Sequence, residues 1–565
     1  VAVGKNAGEA ITTGVLNTIV GGLAGDALTD ADYNTAFGKS ALSADTLGSR
    51  STAIGTFALE AQNFTTATDT YNTAVGYNAG AYVSTGVQNT IVGGLAGDAL
   101  TTGVDNVAVG YLSASALTDA DYNVAVGKGA LSDDTLGSKS TGVGYQALST
   151  QNFTTATDTF NTAVGYNAGS LITTGVRNTL IGGLAGDSLT NGDDNIALGY
   201  NALSTEDTGS KSIAIGFEAL KTQNNAASNH NVAVGHAAGT AVTTGVQNVL
   251  IGGLAGDALT DADYNVALGY GALSTDTLGS TSIAIGTNAL ATQNFTTATN
   301  AYNTAVGDSA GVSVTTGIQN TLIGGLAGDA LTVGGTNVAL GVSALGADTQ
   351  GSSSVAIGSS ALRLQNFTSA TQTYNVAIGR AAGENVTTGV YNTFLGGLSA
   401  QSITTGQRNV AIGTFTLDAD DLGSKNTAVG YAALTSQNYA TATDGFNTAV
   451  GCSAGEAVTT GIRNTLIGGL AGDALTDADF NVAVGSHALT TDTLGSKSIA
   501  IGHSALENQN FTTATATYNV AIGDNAGVAV TTGTLNTLLG GIAGDAITVG
   551  QRNVALGYSA LGADR

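Results

Sequence analysis

Recurring acidic residues are the side chains of this sequence whose type and spacing could do chemistry. Asp30 and Asp32 lie two residues apart, and the same spacing recurs in three later pairs: Asp119 and Asp121, Asp261 and Asp263, and Asp477 and Asp479. Two carboxylates at that spacing on one strand face could bind a cation or act as general acid and base. An active site is normally built once, whereas these pairs recur. We therefore interpret them as solvated corners of a repeating structure.

A second acidic motif approaches a calcium-binding repeat. The segment Gly21-Gly-Leu-Ala-Gly-Asp26-Ala-Leu-Thr29 recurs along the chain, beginning at Gly93, Gly182, Gly252, Gly324 and Gly468, and in altered form at Gly396 and Gly540. In the calcium-binding nonapeptide the third Gly comes one position earlier, and its copies occupy adjacent turns. Here most copies follow one another at a 72-residue period, as from Gly21 to Gly93, so adjacent turns could not share a cation. We predict a structural turn whose Asp accepts backbone hydrogen bonds.

The spacing of the histidines and the cysteine indicates neither a metal site nor a catalytic nucleophile. Of the four histidines, only His230 and His236 are close in sequence, and the other two are His487 and His503. Two histidines without a third ligand make a poor zinc site. The single cysteine, Cys452, takes a position that other repeats fill with Tyr or Asp. We expect no metal, no cofactor and no enzymatic activity.

The composition excludes several classes of protein. The 565 residues include 82 Gly and no Pro, Met or Trp, and 5% are aromatic and 10% charged. The net charge of −25 argues against nucleic acid as a partner, because phosphate binding requires clustered Lys and Arg. The longest apolar run, near Ile19, is far shorter than the roughly 20 residues that a membrane helix needs. We therefore expect neither nucleic-acid binding nor membrane insertion by this segment.

A short motif repeats along the whole chain. It is Asn or Ser, then Thr, Val or Ile, usually Ala, an apolar residue and Gly, and it occurs 32 times from Gly4 to Gly557. Its closing glycines mostly keep a 17-residue period, or a 21-residue period where an insert such as Gln62–Thr68 is present, which gives a 72-residue super-repeat. Between Gly76 and Gly165 one additional 17-residue unit leaves the phase intact. Such tolerance is typical of a solenoid, in which each coil contacts only its neighbours.

The alternation within the motif predicts a short strand with two different faces. Thr162 and Val164 share one face, and Asn161 and Ala163 share the other. We expect the larger face to fill the interior of each coil and the Ala face to approach another surface. Too few residues separate the strands for helices of normal length. The sequence therefore predicts an all-β fold, a single continuous parallel β-solenoid of about 32 coils over residues 1–565, as a window from a longer chain.

Thin coils also predict self-association. A coil of about 17 residues with few aromatic side chains has a narrow core, and its end coils expose unpaired strand edges. Association of several chains around one axis would bury the Ala faces. We therefore predict an oligomer, and a homotrimer as its form.

The motif resembles a known family of repeats. Ser212-Ile-Ala-Ile-Gly216, Asn375-Val-Ala-Ile-Gly379 and Ser498-Ile-Ala-Ile-Gly502 are similar to the head repeat of YadA-type trimeric adhesins. The phrase Asn161-Thr-Ala-Val-Gly-Tyr-Asn-Ala-Gly169 is similar to arrays in bacteriophage tail fibres and large bacterial surface proteins. The resemblance implies a left-handed parallel β-roll with three chains to a fibre. Both the 17-residue and the 21-residue coil are longer than the usual coil of that family.

These observations favour an extracellular structural role. The first expectation is the shaft of a trimeric bacteriophage tail fibre used in host attachment. The alternative is a bacterial trimeric autotransporter adhesin or other cell-surface filament, in which the coils themselves contact a surface. A β-solenoid enzyme would need a cleft with unique carboxylates, which a uniform repeat does not offer.

The inserts supply the candidate contact residues. Each insert of the Gln-Asn-Phe-Thr-Thr-Ala-Thr type adds hydroxyl groups and one aromatic ring, which suits contact with a cell-surface glycan or receptor, although the ring could equally close the edge of a coil. The candidate surface contacts are Phe64, Phe153, Phe295, Phe367, Tyr439 and Phe511.

Overall fold

The computed structural model describes residues 1–562, which form short strands and turns and no helix. The chain divides into two compact units. The first contains Val1–Thr281 and Thr296–Thr299, and the second contains Ser282–Phe295 and the chain from Asn300 onward. Each unit has 16 strands that carry the repeated motif, here called motif strands, and the remaining strands are two-residue pieces at the inserts.

The strands of the first unit are, in chain order, β1 (Ala2–Val3), β2 (Thr18–Val20), β3 (Thr35–Phe37), β4 (Gly48–Ser49), β5 (Thr52–Ile54), β6 (Thr68–Asp69), β7 (Thr73–Val75), β8 (Thr90–Val92), β9 (Val107–Val109), β10 (Val124–Val126), β11 (Gly137–Ser138), β12 (Thr141–Val143), β13 (Thr157–Asp158), β14 (Thr162–Val164), β15 (Thr179–Ile181), β16 (Ile196–Leu198), β17 (Ile213–Ile215), β18 (Val232–Val234), β19 (Val249–Ile251), β20 (Val266–Leu268) and β21 (Gly279–Ser280).

The strands of the second unit continue the series with β22 (Ile283–Ile285), β23 (Thr299–Asn300, of which only Asn300 belongs to this unit), β24 (Thr304–Val306), β25 (Thr321–Ile323), β26 (Val338–Leu340), β27 (Gly351–Ser352), β28 (Val355–Ile357), β29 (Thr371–Gln372), β30 (Val376–Ile378), β31 (Thr393–Leu395), β32 (Val410–Ile412), β33 (Gly423–Ser424), β34 (Thr427–Val429), β35 (Thr443–Asp444), β36 (Thr448–Val450), β37 (Thr465–Ile467), β38 (Val482–Val484), β39 (Gly495–Ser496), β40 (Ile499–Ile501), β41 (Thr515–Ala516), β42 (Val520–Ile522), β43 (Thr537–Leu539) and β44 (Val554–Leu556).

Within each unit, successive motif strands pair in parallel from one coil to the next. In the first unit, Ala108 of β9 pairs with Ala125 of β10, the equivalent residue after a coil without an insert. In the second unit, Ala356 of β28 pairs with Ala377 of β30, the equivalent residue after a coil with an insert, so an insert lengthens a coil without shifting the register. The predicted all-β parallel solenoid is confirmed.

The orientation of the motif strand is the reverse of the one predicted. In β10 the central Ala125 is fully buried, whereas Val124 and Val126 on either side are only half-buried. The same pattern holds in β32, where Ala411 is buried between Val410 and Ile412. The prediction that the larger face fills the coil interior is wrong. The interior is too narrow for two β-branched side chains per strand, so Ala points inward and the β-branched pair points outward.

Leucines outside the strands supply most of the interior volume, and glycines make room for them. Where the central strand residue is Ala36, the interior is filled by Leu42 from the following turn. Where the central residue is large, as at Leu322, the preceding coil has Gly311 at the equivalent turn position. A Cβ on Gly311 would lie 2.6 Å from Leu322 Cδ1. The core is therefore packed between coils as well as within them.

The closing Gly of the motif is required by close approach of the backbone. Gly38 has a φ of +140°, and a Cβ there would lie 2.3 Å from the carbonyl oxygen of Gly55 in the next coil. Only Gly combines this dihedral angle with that contact at no steric cost.

Candidate functional site

A ladder of asparagine side chains runs along the coils of each unit. The backbone N–H of Asn34 donates to Asn17 Oδ1 at 2.8 Å, and Asn34 Nδ2 donates to the carbonyl oxygen of Gly48 at 2.9 Å. The second unit repeats this arrangement, with Asn392 donating to Asn375 Oδ1 at 3.0 Å. The motif Asn thus satisfies buried backbone groups on two neighbouring coils, which explains its recurrence.

A buried carboxylate network occurs at the coils that carry an insert, and in all of these coils except that of Asp420 the motif begins with Ser instead of Asn. Asp348 Oδ2 accepts from Gln365 Nε2 at 2.6 Å, and the same Gln365 nitrogen donates to Ser354 Oγ at 2.8 Å. Gln365 Oε1 accepts from Asn375 Nδ2 at 2.8 Å, which connects the network to the motif Asn of the next coil. Asp348 Oδ1 accepts from the backbone N–H of Gly351 at 3.0 Å and of Phe367 at 3.1 Å, which fixes the start of the insert.

The acid of this network is fully buried in every super-repeat, at Asp45, Asp134, Glu206, Asp276, Asp348, Asp420 and Asp492. Burial raises the pKa of Asp45 and Asp348, although the Gln side chain and backbone N–H groups oppose that change. Burial raises the pKa of Asp420 to about 6. Because no substrate can reach these carboxylates, they serve to hold the inserts. Sequence reasoning missed this network, although the acid and the Gln keep a constant separation of 17 residues at each insert, as Asp348 and Gln365 do.

In two coils, several residues of the network differ together from those in the other coils. Glu206 occurs in the coil whose insert is two residues shorter and lacks an aromatic residue. The longer side chain accepts from Gln223 Nε2 at 2.8 Å and from Asn229 Nδ2 at 3.0 Å. In the Asp420 coil, Tyr439 replaces the usual Phe, and its hydroxyl donates to the carbonyl oxygen of Gly461 at 3.0 Å.

The candidate contact residues of the inserts lie inside the edges of the coils. The exposed fraction is 3% for Tyr439 and 6–7% for the five phenylalanines, Phe64, Phe153, Phe295, Phe367 and Phe511. Buried rings offer almost no surface to a glycan, so this placement favours the alternative that the ring closes the coil edge.

The paired acids bind backbone and hydroxyl groups of the preceding coil. Asp32 Oδ1 accepts from the backbone N–H of Val15 at 2.6 Å, and Asp479 Oδ1 accepts from that of Ile462 at 2.8 Å. The first acid of a pair accepts from a Thr hydroxyl, as Asp477 does from Thr460 at 2.6 Å. Each carboxylate therefore bridges two coils at a corner of the solenoid.

The acids of the glycine-rich segments are partly buried and weakly bonded. Burial raises the pKa of Asp98, Asp187, Asp257 and Asp329, each of which accepts a hydrogen bond from its own backbone N–H. One side-chain oxygen has no hydrogen-bond partner in Asp26, Asp98, Asp187, Asp257 and Asp545. Across residues 1–562, no group of three His, Cys, Asp or Glu side chains is placed to hold a metal ion.

The histidines and the cysteine lie apart from these acids. His236 stacks on Phe217 with 5.2 Å between ring centroids. The rings of His487 and His503 are 6.2 Å apart, and His503 Nδ1 lies 3.3 Å from Asp524 Oδ1. Cys452 is exposed.

An exposed column of aromatic and cationic side chains follows one edge of the motif strands. The residue before each motif Asn or Ser has a positive φ, as in Tyr374 at +49° and Arg408 at +57°. In the second unit, nine successive coils place only aromatic or cationic residues there: Tyr374, Tyr391, Arg408, Lys425, Phe446, Arg463, Phe480, Lys497 and Tyr518. We call this column the edge ladder. The aromatic rings of these nine are 43–54% exposed.

Ring stacking and cation–π contacts connect the edge ladder. The rings of Tyr374 and Tyr391 stack with centroids 5.7 Å apart. The Arg463 guanidinium lies 5.9 Å from the Phe446 centroid and 5.3 Å from that of Phe480. Sequence reasoning missed the edge ladder because it followed the motif itself. The aromatic and cationic residues that form it stand immediately before the motif Asn or Ser and recur with the same spacing as the motif.

Comparisons with known proteins name no relative: no known protein family matches the chain, and no curated protein matches its sequence. None of the described residues belongs to a helix long and apolar enough to cross a membrane.

Proposed function

We propose that this chain is the structural shaft of an extracellular fibre built from three copies, and that the fibre is a bacteriophage tail fibre used in host attachment. The observation that carries the proposal is the outward face of the motif strands. One column of apolar side chains and a second column that mixes Thr with aliphatic residues cover this face in each unit. Most members of both columns are half-buried, and the exposed members of the apolar column include Ile54 (38%), Leu340 (42%) and Leu395 (44%). Soluble monomers rarely expose continuous apolar surfaces of this kind.

Assembly would bury these columns without changing the coil. The inward Ala face is already occupied by leucines, so the outward β-branched face replaces the Ala face as the surface available to another chain. Burial of apolar area contributes about 25 cal/mol per Å², and a small contribution from each coil adds up over many coils. The likeness of Asn161–Gly169 to tail-fibre arrays supports the phage setting.

A second candidate is a bacterial trimeric adhesin or other surface filament whose coils contact a surface directly. The edge ladder favours it, because exposed rings such as Tyr391 (48%) and Tyr518 (50%) form a column that a partner could contact. Both candidates predict the same self-association and differ in what the coils touch.

The oligomeric mass tests the proposal. Light scattering of the full chain after size exclusion should give three times the chain mass of 55.3 kDa. Ile467→Lys places a charge on the outward face and should shift the mass toward that of one chain, whereas Thr368→Lys at an exposed insert should not. A folded monomer at micromolar concentration would refute the trimer. Assembly unaffected by Ile467→Lys would refute the outward face as its interface.

A further inference from the structure

Lys497 follows Phe480 and precedes Tyr518 in the order of the edge ladder. Its Nζ is 5.1 Å from the Tyr518 ring centroid and donates to the Tyr518 hydroxyl at 3.1 Å. Phe480 is the ladder residue of the preceding coil, and its ring is 43% exposed, compared with 50% for Tyr518. The Lys497 ammonium thus contacts one exposed ring, Tyr518, and the exposed Phe480 precedes it on the edge ladder.

In three other coils the equivalent cation is neutralised by an acid from the insert. Arg50 pairs with Asp69 at 2.8 Å, Lys139 with Asp158 at 2.6 Å and Lys425 with Asp444 at 2.5 Å. Each of these acids is the second residue of a two-residue insert strand, β6, β13 or β35. In β41 that residue is Ala516, and Lys497 has no ion pair with any residue in the described part of the chain.

A cavity lies beside Ala516, at the position where the other three coils carry the acid. A cavity of about 290 Å³ is lined by Asp479, Phe480, Ser496, Lys497, Ala514, Thr515 and Ala516. It is close to the lower end of the roughly 300–1,000 Å³ that small-molecule sites occupy. The cavity therefore brings together a ring, an ammonium group, two hydroxyls and a carboxylate.

We propose that this cavity binds an oligosaccharide bearing a carboxylate, such as a chain of uronic acids. The Phe480 ring, which lines the cavity, suits the apolar face of a pyranose ring. The Lys497 ammonium would pair with the sugar carboxylate, a charge-assisted contact stronger than one between neutral groups. The Asp479 carboxylate and the Thr515 hydroxyl oxygen can accept hydrogen bonds from the sugar hydroxyls, and the Ser496 hydroxyl can donate one.

The charge distribution favours this ligand over a polyphosphate. Lys and Arg number 16 in a chain of net charge −25, and nucleic acid binding requires clustered cations without acidic partners. A single ammonium without an acidic partner, in a cavity that is also lined by an aromatic ring, matches the one carboxylate that each uronic acid ring carries among its hydroxyls. The site goes beyond the shaft role and does not depend on assembly.

Calorimetric titration of the full chain with tetragalacturonate, and with a neutral galactose tetramer as comparison, tests the proposal. The wild-type chain should bind the acidic sugar once per chain and bind the neutral one at least fivefold more weakly. Ala516→Asp installs the acid that the other coils carry and should weaken acidic-sugar binding at least fivefold. Thr368→Asp adds the same charge at another insert and should leave the affinity unchanged.

A gain-of-function variant provides the reciprocal test. In the first unit, Lys139 occupies the equivalent position, one coil after Tyr122 and one coil before Phe160, and is paired with Asp158. Asp158→Ala removes that acid, so the stoichiometry should rise from one sugar per chain to two. An unchanged stoichiometry would contradict the assignment of an unpaired ammonium group beside a full-length insert as the deciding feature.

Three further results would overturn the proposal: no binding of tetragalacturonate by the wild-type chain, equal binding of the neutral tetramer, or a change of oligomeric mass caused by Ala516→Asp. The last result would place Lys497 in an interface between copies. Light scattering on the same samples separates the two proposals, because sugar binding by a monomer would refute the fibre shaft and leave the sugar site standing.

Discussion

Three substitutions within one coil provide a sharp test of how the insert network packs. In several coils a Ser and a Thr hydroxyl meet inside the network, as Ser498 Oγ and Thr517 Oγ1 do at 2.5 Å. The Asp420 coil has Asn426 and Gly445 at those two positions and Tyr439 in place of Phe. A Cβ on Gly445 would lie 2.3 Å from Asn426 Oδ1 and 2.6 Å from Tyr439 Oη. The larger Asn and the added hydroxyl thus occupy the space of the missing Thr side chain.

Gly445→Thr alone should therefore destabilise this coil by about 2 kcal/mol, within the roughly 1–3 kcal/mol range for overpacked cores. Adding Asn426→Ser and Tyr439→Phe recreates the composition of the Ser498 coil and should recover most of that loss. Removing Asn426 also eliminates a buried Nδ2 that has no hydrogen-bond partner. The expected coupling energy between Gly445→Thr and the other two substitutions is about 2 kcal/mol.

Hydrogen–deuterium exchange is the suitable assay, because a long repeat array does not unfold in a single two-state step. A local loss of about 2 kcal/mol corresponds to roughly thirtyfold faster exchange of the amides in that coil. Gly397→Thr serves as the control, since a Cβ there meets nothing within 4 Å. If Gly445→Thr leaves exchange unchanged, or if the triple variant exchanges as fast as the single one, the packing explanation is refuted.

Three other predictions concern the buried carboxylates. Gly495→Ala should cost about 2 kcal/mol, because its Cβ would lie 2.0 Å from Asp492 Oδ2, and equal thermal stability of variant and wild type would contradict this. Gln365→Leu should cost at least about 3 kcal/mol, because it leaves the Asp348 carboxylate without its side-chain donor, and exchange at Phe367 should report the loss. Since burial raises the Asp420 pKa to about 6, the folded state binds this proton more tightly than the unfolded state. The coil should therefore lose up to about 3 kcal/mol as pH rises from 4 to 7, whereas a gain of stability over that window, measured by exchange, would refute the assignment.

Periodicity in the sequence was sufficient to predict the parallel solenoid. The motif spacing fixes the register, because Ala356 must pair with Ala377 if the glycines of successive coils are to align. Alternation alone could not decide which face points inward. That choice depends on the cross-section of the coil, in which Leu42 from the turn already fills the space beside Ala36.

The contact surface was harder to predict for a related reason. Phe64 and its equivalents looked like protruding rings because they stand in inserts, yet the backbone N–H of Phe64 donates to the buried Asp45 Oδ1 at 3.1 Å. That bond draws the start of the insert into the coil edge. The network joins residues a full coil apart in sequence, such as Asp45 and Gln62, so only knowledge of the coil geometry shows that they meet.

The asparagine ladder has a consequence for how such a gene can evolve. Because each coil without an insert offers its neighbours the same Asn Oδ1 acceptor and the same N–H donor, recombination between repeats can add or remove such coils without leaving a buried bond unpaired. The additional coil between Gly76 and Gly165 is of this kind. A change within an insert breaks that equivalence and requires accompanying substitutions, as at Glu206. We therefore expect this fold to tolerate the gain or loss of whole coils more readily than the deletion of one or two residues.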